Sequence, residues 1–417
     1  MKGFSGNDVL SRSPSNAQSK KNMTFYTPIE FTSGRKEPIV TFCELNFDAY
    51  TKSPSTTPMF KDFIAFSRCN GANVFKKRLS ELEGSKYDAL YDKINGVVPK
   101  SIEPTGFVFH ESRVGSTLVA NLFASDKDSM VFSESAPPAS VLLHCNGCSH
   151  ERQVDYFRAT VQLMCRSNRH KRCFFKFQSI TVTMIHLVLE AFPNTPWIFL
   201  YRKPVETMMS HGKKGTFKKS VCLRSKRGRT PVDITTSLKA HMQSATMASD
   251  EAWCAAHLNM LCLHSLRAEK KFGRISGSGK RRGMLLPYES LPGALASIVL
   301  PLFAVPSIDQ EWQEKMIKNS KLYSKSRTSA GFMHGSRKFS GDSEEKNEAA
   351  SSDVKNWAMK IMDPTYLEMR NKSIVALQEL VSTNVIVNNE VYAQILKGNR
   401  LLDWSSIKKL PGEILRR

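Results

Sequence analysis

Gly106-Phe-Val-Phe-His-Glu-Ser-Arg-Val-Gly-Ser-Thr-Leu-Val-Ala-Asn121 reads as a short buried strand, a tight glycine turn and the opening turns of a helix. Phe107, Val108 and Phe109 follow the breakers Pro104 and Gly106, and bulky consecutive apolar residues suit a parallel strand covered on both faces. From Thr117 to Phe123 the pattern turns helical. The first backbone N–H groups of such a helix have no partner of their own, so an anion placed there gains hydrogen bonds and a favourable dipole. Gly115 permits close approach, Ser116 and Thr117 add hydroxyl donors, and Arg113 supplies a forked, permanent charge beside Val114. The stretch is not a Walker A loop, which requires a lysine after its second glycine. An ordinary strand-to-helix turn remains the competing reading until a second motif is found.

Outward from that loop, two further strands end on charges. Met130 to Ser135 is a short strand carrying Glu134 near its end, 21 positions past Arg113, and open α/β sheets bind ligands beyond the carboxyl ends of their strands. A solvated loop glutamate is the plain alternative. Cys173-Phe-Phe-Lys-Phe177 is another buried strand, with Lys176 its one charge. Pro196 to Arg202 is the clearest strand in the chain, and it runs into Arg202-Lys-Pro-Val-Glu-Thr-Met-Met-Ser210. Pro204 suits a first helical turn, and two more turns bring Ser210 round toward the strand-end guanidinium.

In that order and at that spacing, the two motifs resemble the sulfotransferases that use 3′-phosphoadenosine 5′-phosphosulfate (PAPS). In that family a loop of the form [KR]-x-G-[ST]-[ST] holds the 5′-phosphosulfate, here Arg113, Val114, Gly115, Ser116 and Thr117. An Arg with a Ser eight residues on holds the 3′-phosphate, here Arg202 and Ser210. The resemblance covers about residues 104–345 and implies an α/β three-layer sandwich, P-loop-NTPase-like, with a central mainly parallel sheet flanked by helices. Cytosolic members carry Lys-x-His past the strand that ends at Lys176, and the histidine is their base; this chain has Lys176-Phe-Gln178, and Gln178 cannot take a proton at neutral pH. The resemblance therefore points to the branches acting on glycans or proteins, whose glutamate base corresponds to Glu134, with Lys176 toward the transferring group. Tyr288, in Gly283-Met-Leu-Leu-Pro-Tyr-Glu-Ser-Leu291, matches a tyrosine near the adenine. Arg337 and Lys338 loosely match a segment that closes over the 3′-phosphate.

The remaining sequence sets bounds. The chain has 417 residues and a formal charge of +22, which favours anionic ligands without choosing among nucleotides, sulfated glycans, acidic proteins and nucleic acid. Residues 1–23 read as a disordered tail, 24–103 as an N-terminal extension packed on the core, 104–345 as the PAPS-binding core, and 346–417 as a C-terminal helical segment. The basic run 213–229 reads as a loop, solvated or guiding an anionic acceptor, and the Gly/Ser-interspersed run 270–282 as a mobile loop. Phe60–Phe66 and Phe75–Leu82 suggest short helices. Nine cysteines at irregular spacings read as reduced thiols. With no secretory signal or apolar span of ~18 residues, the expectation is a soluble cytoplasmic protein, or a Golgi one if the N-terminus is incomplete. His144-Cys-Asn-Gly-Cys-Ser-His150 gathers four metal-ligand types, but no second pair follows at zinc-site spacing, so no metal is assigned. The competing functions are a P-loop kinase, which lacks its lysine here, and a basic polyanion- or nucleic-acid-binding protein on a degenerate scaffold.

Overall fold

The structure is a computed structural model that describes residues 26–33, 37–71, 74–82, 99–212, 217–218, 220–228, 230–242, 244–305, 308–322, 324 and 343–386. Among them, five strands form a parallel sheet: β4 (Gly106–His110), β5 (Ser129–Ser133), β6 (Arg172–Lys176), β7 (Trp197–Tyr201) and β8 (Gly283–Pro287), in the spatial order β5-β6-β4-β7-β8. Every residue of β4, β5, β7 and β8 is buried. Strands of that kind need cover on both faces, and parallel neighbours need crossovers. Helices supply both, and the three-layer α/β arrangement expected from the sequence is the one the chain adopts.

Strand order fixes where a ligand can sit. The chain leaves β4 through the Ser116–Ala124 helix toward β5 on one side, and leaves β7 through the Pro204–His211 helix toward β8 on the other. The two connections diverge, so the carboxyl ends of β4 and β7 flank a topological switch point, where open sheets form their crevice. Register brings the neighbouring charges to the same edge. Ser133 and Val108 both pair with Lys176, and His110 pairs with Leu200.

Before this sheet lies an antiparallel one, β1 (Tyr26–Thr32), β2 (Ile39–Glu44) and β3 (Val74–Arg78), whose β1 packs on the Ala136–His144 helix. Phe75 therefore starts no helix. Phe75, Leu79 and Leu82 have helical spacing, but Phe75 stacks on Phe42 with ring centroids 5.0 Å apart, so cross-strand packing overrides the period. The basic run 270–282 also differs from expectation. Lys270–Phe272 end a 23-residue helix that begins at Asp250, and Arg274 and Arg281 both clamp Glu379 of the Asp363–Ser382 helix. Arg282 is buried, donating to the carbonyls of Leu189, Phe192 and Phe272. Carboxylate and carbonyl partners hold this loop in place.

Eight of the nine cysteines are paired, not reduced: Cys43–Cys69, Cys145–Cys148, Cys165–Cys173 and Cys222–Cys254, with buried Cys262 left over. The odd count hid the pairing, because one buried thiol sits among four bridges.

Candidate functional site

The loop after β4 departs from ordinary backbone geometry. Ser112 and Arg113 have φ of 114° and 59°, and Gly115 has 78°. Left-handed residues in succession turn neighbouring N–H groups toward one side, the geometry of an anion-binding concavity. Gly115 is the N-cap of the Ser116–Ala124 helix and has no side chain with which to cap its first N–H groups. Val114 is fully buried and pins the loop, Ser116 and Thr117 lie buried in the first turn, and Arg113 is exposed at the rim. Tyr288 packs directly on this turn, so close that a Cβ added at Gly115 would lie 2.8 Å from its ring. Glycine is required here by backbone sign and by space.

One wall of the crevice is built by the ends of β5 and β6. Glu134 follows the last residue of β5, has a φ of 55°, and donates its N–H to the Lys176 carbonyl at 2.6 Å. That geometry folds its side chain back to an ion pair with the Lys176 ammonium. Lys176 is 2% exposed, and burial lowers its pKa while Glu134 opposes the shift. Glu134 keeps about a quarter of its side chain in contact with solvent, at 26%. His110, the last residue of β4, completes this wall. Its Nε2 lies 3.0 Å from the Phe177 carbonyl oxygen and 3.9 Å from Glu134 Oε1. Sequence reasoning passed over His110, although a polar residue ending an apolar strand beside the glycine turn was signal enough.

The other wall begins at the end of β7. Arg202 is buried and its Nε donates to Glu206 at 2.6 Å, one helical turn on. Ser343 Oγ bridges the two, 3.2 Å from the guanidinium and 3.0 Å from Glu206. The guanidinium also lies over the Tyr288 ring, 4.3 Å from its centroid. Ser210 donates to the Glu206 carbonyl and accepts from Lys346 Nζ, both at 2.8 Å. Arg202 and Ser210 are thus joined through Glu206, and the Ser343–Glu348 helix closes over both. The Arg202 N–H donates to Glu111, whose carboxyl is pushed up to about 8 by burial, with Arg202 pulling the other way. Both Glu289 oxygens are buried without a hydrogen-bond partner, and burial raises that carboxyl too.

Sequence reasoning found Arg202 and Ser210 but not Glu206, Glu111 or Lys346. Lys346 lies 136 positions from the serine it meets, a distance no local motif spans. Arg337 and Lys338 lie outside the described residues. Among the described residues, one group has metal-ligand spacing, His211, Cys222 and Cys254, with ligand atoms within 4.8 Å of one another. Its sulfurs are joined to each other, which removes the thiolates a metal would need. No helix among the described residues is long and apolar enough to cross a membrane.

No family model and no curated protein matches the sequence. Solved structures similar to this chain include two sulfotransferases. One, from Alicyclobacillus acidocaldarius, is 12% identical over 52% of this chain and 90% of its own, with a TM-score of 0.31. The other, from Mycobacterium avium, is 11% identical over 55% of this chain and 71% of its own, also at 0.31.

Proposed function

We propose that the chain is a PAPS-dependent sulfotransferase acting on a hydroxyl or amine of a glycan or protein acceptor, with Glu134 as its base. The observation that carries this reading is the Lys176–Glu134 pair at the crevice wall beside a left-handed, glycine-capped loop. The donor fits the chain's own groups. The loop N–H groups with Ser116 and Thr117 take the 5′-phosphosulfate, Arg113 reaches its bridging oxygen from the rim, and Ser210 with Lys346 and Arg202 takes the 3′-phosphate. Tyr288, between loop and Arg202, lies where the adenine or ribose would rest.

Sulfuryl transfer leaves little covalent work to the protein, so positioning and charge stabilisation carry the rate. The acceptor oxygen attacks sulfur in line as the bond to the 5′-phosphate oxygen breaks, and Glu134 takes the acceptor's proton. Once Glu134 is neutral, the Lys176 charge it had been neutralising is released toward the sulfuryl oxygens. Arg113 and the loop N–H groups stabilise the growing charge on the leaving phosphate. Gln178 takes no part in proton transfer. The test is release of 3′-phosphoadenosine 5′-phosphate from PAPS, followed by chromatography over a panel of glycan and hydroxyl-bearing peptide acceptors. Acceptor-dependent release is expected; none above buffer on any acceptor, from folded protein that binds the donor, overturns the reading.

A further inference from the structure

Three of the four disulfides are held inside the protein, each with at least one sulfur-bearing residue at 0% exposure: Cys43, both of Cys165 and Cys173, and both of Cys222 and Cys254. Cys145–Cys148 differs from all of them. Both cysteines are half-exposed, between the exposed His144 and Ser149. The bridge joins residues only 3 apart, against 8, 26 and 32 for the others, so it constrains the unfolded chain least. The loop between them opens to solvent. Gly147 has φ of 79°, and a Cβ built on it meets nothing within 4 Å.

The two sulfurs also sit in opposite fields. Cys145 is the C-cap of the Ala136–His144 helix, whose carbonyl end disfavours a thiolate. Cys148 directly precedes Ser149, the N-cap of the His150–Met164 helix, whose positive end favours one. The backbone holds this arrangement independently of the sulfurs. Asn146 N–H donates to the His144 carbonyl at 2.9 Å, Cys148 N–H to the Cys145 carbonyl at 3.2 Å, and the Ser149 hydroxyl oxygen accepts from Arg152 N–H at 3.3 Å.

We propose that Cys145–Cys148 is a thiol–disulfide exchange site, with Cys148 as the attacking and attacked sulfur, Cys145 as the resolving one, and a dithiol as its reductant. A thiolate of the incoming dithiol attacks Cys148 Sγ, the Sγ–Sγ bond breaks, and Cys145 leaves as thiolate. The dithiol's second thiolate then attacks the dithiol's first sulfur in the mixed disulfide, and Cys148 leaves as thiolate. Two electrons and two protons pass to the protein, and the dithiol becomes a disulfide. Reoxidation by a small disulfide runs the same steps backward.

The test uses the full oxidised chain, titrated with dithiothreitol, alkylated and mapped by mass spectrometry. Cys145 and Cys148 are expected to be labelled at no more than one tenth of the reductant that opens any other pair. In Cys145→Ser, oxidised glutathione is expected to leave one glutathione on Cys148, and in Cys148→Ser to react at least tenfold more slowly with Cys145. Reduction of this pair only together with the buried bridges overturns the proposal. So does equal reactivity of the two single-cysteine variants, or isolation of the pair as thiols holding zinc.

Discussion

At the end of β6 one cation, Lys176, meets one carboxylate, Glu134, at a wall still open to solvent. At the end of β7 the Arg202 guanidinium pairs with Glu206 and its backbone N–H bonds Glu111, while Glu289 lies near it without a hydrogen-bond partner, and all four residues are buried. The first wall is balanced in charge and accessible, as a site of proton transfer must be. The second is over-supplied with acid in a setting where isolated charges are costly, so its carboxyl groups stay neutral or paired. Lys346, reaching Ser210 from a distant helix, adds positive charge there, which on the proposed reading faces the 3′-phosphate. On the proposed reading the chemistry belongs to one wall, while the other anchors the donor and also holds the fold.

This contrast is most sharply broken by Glu134→Gln. Loss of a positioned base typically costs about 10² to 10⁴ in rate, so turnover is expected to fall by that factor while donor affinity, read by calorimetry, changes little. Turnover near wild type would remove Glu134 from the mechanism. Arg202→Ala probes the anchor. Removing one partner of a buried ion pair costs about 3–5 kcal/mol, and urea unfolding is expected to show a loss of that order along with lost donor binding. A variant of unchanged stability would show that Arg202 is not the partner that offsets Glu206.

The acid excess gives the anchor a pH signature. Folded Glu111 keeps its proton up to about pH 8, whereas in the unfolded chain it loses it near the ordinary carboxylate value. Between those values the folded state binds more protons, so Glu111's contribution to stability is full at the acid end and is lost as pH rises through about 8. His211 acts in the other direction. Burial, with Arg113 nearby, lowers its pKa to about 3, so its contribution is full above the ordinary histidine value and is lost as pH falls toward 3. Unfolding midpoints from pH 6 to 8 are expected to decline in the wild type and to flatten in Glu111→Gln; parallel profiles would contradict this. Smallest is Ser210→Ala, where one hydrogen bond of about 1 kcal/mol is expected to weaken donor binding about fivefold without altering turnover at saturation.

The sequence revealed the two walls unequally. Four of the five strands of the parallel sheet were legible, because strands covered on both faces are written as apolar runs such as Trp197–Tyr201, while Gly283–Pro287 was marked only by the resemblance around Tyr288. Their spatial order was not legible, since a crossover leaves no local pattern. Val74–Arg78, an edge strand rich in lysine and arginine, has neither a buried run nor strict alternation, and its phenylalanine imitated a helix. In the site, contiguous features such as Gly115 and its hydroxyls could be read directly. The Lys176–Glu134 pair joins residues 42 positions apart and Lys346–Ser210 joins residues 136 apart, so both depend on tertiary packing. Cysteine pairing was illegible because the count is odd and the paired separations, 3, 8, 26 and 32, follow no regular spacing.

The central claim is that the crevice recognises a nucleotide carrying both 5′- and 3′-phosphates. Calorimetric titration with 3′-phosphoadenosine 5′-phosphate, beside ATP, in EDTA and at physiological salt, tests it most directly. Micromolar binding is expected that prefers the 3′-phosphorylated nucleotide, needs no divalent cation and is lost in Arg202→Ala. Absence of binding to folded protein, or a preference for ATP that requires magnesium, would contradict the account.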